Sequence, residues 1–310
     1  MRFLVTGGTG LLGSEFRNLR DDIIVVGSKE SDLTKRDDAR DLFSMAKSQG
    51  VNHIIHCAAK VGGLHANMKN PVEFFEINNE INTNVVRLCH EYDMGLTAIL
   101  SSCIYPDKDY VRYPLTEDQL HNGPPHTSNF AYAYAKRMLG VQCNAYRDQF
   151  GSKFISVIPN NLYGLNDSYS LEDSHVIPAL IRKFFEAKAR NEKSVEIWGT
   201  GNPRREFTFA RDAAKIILWL SENYTGHHPV NIGNTDQISI RDLAATIGDS
   251  VGFKGEILFN SEKPDGQFEK PTSNDLLRKI GWEGFYTDLK SGINQTVKFF
   301  ENQYPNLRGV

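Results

Sequence analysis

Tyr132 and Lys136 stand four positions apart in the stretch Asn129–Phe150, whose apolar spacing predicts a helix, so their side chains share one face. An ammonium beside a phenol lowers its pKa from about 10, which lets the phenol exchange a proton near neutrality. Tyr134 does not fit the pattern, because Met138 stands four residues on. Upstream, Ser101-Ser102-Cys103-Ile104-Tyr105-Pro106 closes an apolar strand, and a serine hydroxyl there can hold the same oxygen that the phenol serves. Alone, Tyr-x-x-x-Lys usually decorates a solvated helix face. Preceded by a glycine-rich turn and a strand-end serine, it is far more specific to carbonyl chemistry.

The glycine-rich turn is Gly7-Gly8-Thr9-Gly10-Leu11-Leu12-Gly13. Gly7, Gly10 and Gly13 permit a tight turn, close approach of the backbone to a pyrophosphate, and close packing of helix on strand. The helix expected after it would offer free N–H groups to phosphates. Such a turn can be merely structural, but this one heads an alternating series of strands and helices, and its Gly-x-x-Gly-x-x-Gly spacing resembles the short-chain dehydrogenase superfamily. The second strand, Ile23–Gly27, should end at the adenosine ribose, where an NAD enzyme usually places a carboxylate. Here Ser28 and Lys29 follow, and then Glu30. A hydroxyl and an ammonium suit a 2′-phosphate, so NADPH is expected rather than NADH, with Asp32 placed to bond the adenine amino group.

These groups must be positioned by a larger framework. Short apolar strands are expected at Phe3–Thr6, Ile23–Gly27, His53–Cys57, Thr97–Ser101 and Phe154–Ile158. Helices are expected at Leu11–Leu19, Asp37–Ser48, Pro71–Tyr92 and Asn129–Phe150. That alternation is the pattern of a parallel sheet covered on both faces. Beyond about Gly164 the strands scatter, while helices remain readable at Val176–Ala189, Arg211–Glu222, Ser239–Val251 and Asp288–Phe300. The fold class is therefore α/β: a Rossmann-type doubly wound parallel sheet with a smaller C-terminal α/β lobe. Residues 1–164 read as the dinucleotide-binding domain and 165–310 as mainly the substrate domain, with part of 205–235 free to return to the first.

Composition narrows the function class. Of 310 residues, 40% are hydrophobic and 24% charged, which suits a globular protein with a sizeable core. A net charge of -3 gives no basic stripe for nucleic acid. No apolar run approaches the roughly 20 residues needed to cross a bilayer. The first apolar stretch is short and ends in glycines, so no secretory leader and a cytoplasmic location are expected. Cys57, Cys89, Cys103 and Cys143 form no Cys-x-x-Cys pair, so neither a metal site nor a disulfide framework is indicated.

Across nearly its whole length the chain resembles the GDP-L-fucose synthase family. The resemblance is carried by Gly7–Gly13, Ala58-Ala59-Lys60-Val61-Gly62-Gly63, Ser101–Pro106, His121-Asn122-Gly123-Pro124-Pro125-His126 and Tyr132–Lys136. It continues through Asn161-Leu162-Tyr163-Gly164, Ser174-His175-Val176-Ile177-Pro178-Ala179, Trp198-Gly199-Thr200-Gly201, Arg205-Glu206-Phe207 and Lys263-Pro264-Asp265-Gly266.

The resemblance implies that Ser101, rather than Ser102, works with Tyr132 and Lys136 in NADPH-dependent reduction at C4 of a GDP-linked 4-keto-6-deoxy sugar. It also implies that Cys103 and His175 form an acid–base pair for epimerisation at C3 and C5. Thr9, Leu11, Leu12, Ala58, Ala59, Asn161, Lys136 and His175 would touch the cofactor. Lys183, Trp198, Arg205 and Asp265 would hold the GDP-sugar, and a homodimer would form through the helices near Pro71–Tyr92 and Asn129–Phe150.

Some positions depart from the family pattern: Arg182-Lys183 where many members have two arginines, Asn160-Asn161 for the more usual Thr-Asn, and Thr9 where some carry arginine. A lysine can neutralise a diphosphate oxygen but cannot grip it bidentately. Two other readings compete. An epimerase or dehydratase with tightly bound NAD would need, for the dehydratase case, an acidic pair where Ser102-Cys103 stands. A non-catalytic NADP-binding protein would commonly have lost the Tyr or the Lys, and both are intact.

Overall fold

The computed structural model describes residues 1–263 and 265–310. The first half runs β1 (Phe3–Thr6), β2 (Ile24–Val26), α1 (Arg36–Ser48), β3 (His53–His56), α2 (Leu64–Lys69), α3 (Pro71–Glu91), β4 (Gly95–Ile99), α4 (Phe130–Phe150) and β5 (Phe154–Pro159). The second half runs β6 (Asn161–Tyr163), α5 (Val176–Ala189), β7 (Ser194–Trp198), β8 (Arg204–Phe209), α6 (Ala210–Asn223), β9 (Val230–Ile232), β10 (Gln237–Ser239), α7 (Ile240–Val251), β11 (Glu256–Asn260), α8 (Asp275–Ile280) and α9 (Leu289–Gln303).

Six strands form one parallel sheet in the order β2-β1-β3-β4-β5-β9. Residues of β1, β3, β4 and β5 are buried throughout, as a sheet covered on both faces requires. One face packs Leu42, Phe43, Val85, Leu139 and their neighbours. The other packs Phe16, Ile216, Ile217 and Leu220. Each such side chain stabilises the fold by about 1.5–3 kcal/mol when fully buried. The remaining strands build a three-stranded sheet, β10-β8-β6, and a parallel pair, β11-β7. These enclose a separate core with Phe184, Leu243, Ile247 and Phe300. β9 thus lies in the large sheet, while β10 and α7 after it belong to the smaller lobe.

Several boundaries differ from expectation for physical reasons. The helix expected at Leu11–Leu19 is a six-residue 3-10 helix, Gly13–Asn18. The fourth strand begins at Gly95 rather than Thr97. A Cβ at Gly95 would lie 2.4 Å from the His53 ring, so the glycine is a packing requirement inside the strand and not a turn. Ser239 and Asp288 lie just outside their helices as caps, accepting the N–H of Asp242 at 3.0 Å and of Ser291 at 2.9 Å.

A buried polar line links the glycine turn to α4. Thr6 Oγ1 lies 2.9 Å from His56 Nδ1, His56 Nε2 lies 3.2 Å from Asn82 Oδ1, and Asn82 Nδ2 donates to the Ala135 carbonyl at 3.3 Å. Thr6 Oγ1 also accepts the Ala58 N–H at 3.2 Å. Burial, reinforced by the Lys136 charge, pushes the His56 pKa down to about 3, so the ring is neutral and its proton lies on Nε2 toward the Asn82 oxygen. Asn82→Leu keeps the volume but strands that buried N–H. It should lower stability by about 1–3 kcal/mol, read as a lower urea midpoint with an unchanged slope. An unchanged midpoint would show that the line carries no net stability.

Candidate active site

Chemistry-bearing side chains gather where β4 ends and α4 begins. Ala131, Ala133 and Ala135 are small and buried in the first turns of α4, so neither side of the helix is bulky there. Lys136, only 2% exposed, donates from Nζ to the Ile99 carbonyl at 2.8 Å, the last residue of β4. Beside it, Arg137 Nε donates to the Ile104 carbonyl at 3.1 Å and Nη1 to the Gly123 carbonyl at 3.0 Å. Two cations of α4 therefore fix the chain on both sides of Ser101 and Cys103.

Ser101 caps a short 3-10 turn, Ser102–Ile104, its Oγ accepting the Cys103 N–H at 3.4 Å. Burial raises the Cys103 thiol pKa, and the Ser101 contact, Lys270 and Lys136 each pull it back. Tyr132 packs edge-on against Phe74, ring centroids 6.2 Å apart. Tyr134 instead faces outward with Arg137 stacked 5.4 Å from its ring centroid, so Tyr132 is the inward member of the pair. Ser101, Cys103, Tyr132 and Lys136 thus lie around the end of β4, where an ionised Cys103 would raise the pKa of both the phenol and the ammonium.

One expectation is corrected. The Tyr132 pKa is raised, first by burial and then by Cys103. Lys136, directed at the Ile99 carbonyl, is itself pushed down to about 8 by burial. Both groups share a space in which charge on either is disfavoured. The phenol consequently holds its proton firmly.

The glycine turn has the form that a phosphate needs. Gly7 adopts φ 74°, and a Cβ there would lie 2.7 Å from the Ala58 nitrogen. A Cβ on Gly13 would lie 2.3 Å from the Gly7 carbonyl oxygen. Only glycine fits either place. Gly8 and Gly10 donate within the framework, to Val26 at 2.8 Å and Gly7 at 3.0 Å. Among the described residues the N–H groups of Thr9, Leu11 and Leu12 donate to nothing. The Leu12 side chain is buried, which leaves its backbone as the part a ligand could meet. Ala58 and Ala59 are partly exposed beside Gly7.

Ser28 and Lys29 are exposed in the turn after β2. Glu30 folds back to accept the Gly27 N–H at 2.8 Å. Asp32 is engaged within its own loop, accepting from Thr34 N at 3.1 Å and Thr34 Oγ1 at 2.7 Å.

His175 stands at the N-cap of α5, its side chain 48% exposed. Lys183, two turns along α5, donates to the Glu196 carbonyl of β7. Trp198, the last residue of β7, is 66% exposed with Lys263 Nζ 5.4 Å from the ring centroid. Asp265 ties the following glycine loop, accepting from Thr200 N at 2.9 Å and Thr200 Oγ1 at 2.7 Å. Arg205 Nη1 donates to the Arg204 carbonyl at 2.7 Å, and a Cβ on Gly266 would lie 3.1 Å from Arg205 Nη2. Lys183, Trp198, Arg205 and Asp265 therefore border one end of the β7 strand. Pro264 lies outside the described residues. Arg182 is committed elsewhere, to Glu186 at 2.7 Å and to the Gly309 carbonyl at 2.6 Å. Asn161 Nδ2 donates to the Glu206 carbonyl at 2.8 Å, holding β6 to β8.

Sequence reasoning missed Asp167, Lys270 and the Thr6–His56–Asn82 line. Asp167 and Lys270 are single polar residues in irregular segments, and no periodicity marks them. His56 and Asn82 read as ordinary members of a strand and a helix, and only the packing of α3 on the sheet brings them together.

Residues 3–233 match the NAD dependent epimerase/dehydratase family. A GDP-L-fucose synthase of Dictyostelium discoideum is 41% identical, the match covering 98% of this chain and 97% of that protein. The GDP-L-fucose synthase of Escherichia coli K12 is 34% identical over 99% of both chains. A GDP-L-fucose synthetase from Naegleria fowleri, solved bound to NADP, superposes with a TM-score of 0.90 at 34% identity, covering 99% of this chain and 95% of that one. With the glycine turn, the Ser101 turn and the Tyr132–Lys136 pair in one place, the chain belongs to the NAD dependent epimerase/dehydratase family and, within it, to the GDP-L-fucose synthases.

Proposed function

We propose that this protein converts GDP-4-keto-6-deoxy-D-mannose to GDP-L-fucose, epimerising C3 and C5 and reducing C4 with NADPH. The observation that carries this reading is the meeting of Ser101, Cys103, Tyr132 and Lys136 at the end of β4, each affecting another by hydrogen bond or charge.

The residues fit the cofactor. The open N–H groups of Thr9, Leu11 and Leu12 suit a pyrophosphate, and the turn that presents them closes only with glycine at positions 7 and 13. Ser28 and Lys29 suit a 2′-phosphate, and Glu30 is turned back onto Gly27. Bound NADPH supplies the reducing equivalent for C4. The smaller lobe, mainly residues 165–310, holds the GDP-sugar through Lys183, Arg205 and Asp265, with Trp198 offering a large exposed face.

Ser101 and Tyr132 donate hydrogen bonds to O4 of the sugar. A ketone at C4 acidifies the C–H bonds at C3 and C5, so a base can leave an enediolate whose charge rests on O4. At C3 and at C5 in turn, Cys103 removes the proton and His175 delivers one to the opposite face, and between the two events the thiol loses its proton to solvent and the imidazole regains one. Its rise by burial makes the thiol a stronger base once ionised, and the Lys136 and Lys270 charges favour the ionised form. In the reduction, Tyr132 gives its proton to the alkoxide forming at O4. A phenol whose pKa is raised holds that proton until the alkoxide appears, and Lys136 stabilises the phenolate left behind.

The assembly we favour is a homodimer in the cytoplasm. Val72 and Phe75 of α3, with Tyr134, Met138 and Val141 of α4, leave adjacent helices with exposed apolar faces. All four cysteines are free, as suits a reducing compartment.

Two outcomes are expected. With GDP-4-keto-6-deoxy-D-mannose as substrate, NADPH oxidation by Tyr132→Phe should fall by about 10² or more, the scale of a lost positioned proton donor. NADPH should still bind, and Tyr134→Phe should turn over normally; loss in Tyr134→Phe alone would reassign the proton donor. Lys29→Asp should shift the ratio of kcat/KM values from NADPH toward NADH, because a carboxylate repels a 2′-phosphate and accepts from a 2′-hydroxyl. An unchanged ratio would remove Ser28 and Lys29 from the ribose site.

A further inference from the structure

The loop between β6 and α5 carries an acidic residue in an unusual setting. The Asp167 side chain is only 7% exposed. Its Oδ1 accepts the Ser168 N–H at 2.8 Å, while its Oδ2 is buried without a hydrogen-bond partner among the described residues. A buried carboxylate oxygen left without a donor is costly, so a nearby positive charge is needed to hold it. The nearest ionisable nitrogen is His175 Nδ1, 4.0 Å from Asp167 Oδ1.

His175 would not be cationic at this place without help. It caps the N-terminus of α5, where the helix dipole disfavours positive charge. Partial burial of the ring works in the same direction, and so does Arg308 from the C-terminal segment. The carboxylate charge of Asp167, its Oδ1 4.0 Å from Nδ1, outweighs these and raises the His175 pKa above its ordinary value. Asp173 on the same loop faces α2 instead, 3.9 Å from His65 Nδ1.

We propose that Asp167 is a positioning residue for the epimerisation acid: its buried carboxylate turns Nδ1 of His175 inward and leaves Nε2 free to hand a proton to the sugar. The inference rests on the reading of His175 as that acid. In the step itself the N–H bond at Nε2 breaks and a C–H bond forms at C3 or C5, made by the electron pair of the enediolate. The negative charge on O4 returns to the ketone, and the ring is left neutral. The half-exposed ring then takes its next proton from solvent. With its pKa raised, the imidazolium persists to higher pH than a free histidine, and acid function is lost as pH rises through that value.

The test uses the full-length protein with Asp167→Asn and Asp167→Glu. Asparagine keeps Oδ1 as acceptor for Ser168, so the loop is retained while the charge is removed. The His175 ring is titrated by NMR, its signals assigned by their loss in His175→Gln. Solvent deuterium entry at C3 and C5 of GDP-4-keto-6-deoxy-D-mannose is followed across pH without NADPH. In Asp167→Asn the His175 midpoint should fall below that of the wild type, and the alkaline limb of deuterium entry should move down with it; Asp167→Glu should keep most of both. In the wild type, the neutral ring should carry its proton on Nδ1. A midpoint and limb unchanged in Asp167→Asn, or a neutral ring protonated on Nε2, would overturn the proposal. Undiminished deuterium entry in His175→Gln would instead overturn the reading of His175 as the acid. The wild-type tautomer decides the question even if Asp167→Asn does not fold.

Discussion

A single buried ammonium sets the geometry of the catalytic end of this fold. Lys136 leaves α4 and donates to the carbonyl of Ile99, the residue at which β4 ends. Bringing an ammonium into that space is unfavourable, and the fall of its pKa to about 8 records the cost. What it secures is the spacing between a helix that carries Tyr132 and a turn that carries Ser101 and Cys103. Arg137 repeats the link one residue later, at Ile104 and Gly123. The chain between these two anchors has little freedom, and the phenol, the hydroxyl and the thiol are preorganised in one small region.

The same constraint reaches the cofactor end of the sheet. Ala135, next to Lys136, receives Asn82, which holds His56, which holds Thr6 at the end of β1. Thr6 in turn accepts the Ala58 N–H beside Gly7. The glycine turn and α4 are therefore tied through the sheet and the helical layer on one of its faces by groups that are each satisfied. The acid we propose, His175, stands at the start of α5 in the smaller lobe, with Asp167 4.0 Å away. Epimerisation needs groups on opposite faces of a sugar ring, and two lobes supply them more readily than one.

How far this was legible beforehand depended on whether the signal was local. The glycine turn, Ser101 at a strand end and Tyr132 with Lys136 on one helix face are short-range patterns with chemical meaning, and the structure brings the last three together. Helices with strong apolar spacing were readable to within three residues, α5 at both ends, with α9 running three residues past its expected end. The extent of β4 was missed because Gly95 reads as a turn residue until the His53 ring opposite it is known. The net direction of the Tyr132 shift was misread, since i to i+4 spacing shows proximity on a helix but says nothing of the burial that dominates at the phenol or of the Ile99 carbonyl that holds Lys136. Asp167, Lys270 and Asn82 act only through contacts between distant segments, and no pattern along the chain announces them.

The central claim is that one site performs both proton exchange at C3 and C5 and reduction at C4, with Cys103 serving only the first. It is tested most directly by running wild type and Cys103→Ser in heavy water with GDP-4-keto-6-deoxy-D-mannose and NADPH, and locating deuterium in the product by NMR. A serine keeps nearly the volume of cysteine but ionises far less readily, so it is a much poorer base. Wild type should give product deuterated at C3 and C5, while Cys103→Ser should still bind NADPH and introduce very little deuterium at either carbon. Equal deuterium at both carbons in the two proteins would contradict the claim and return Cys103 to the role of a packing residue.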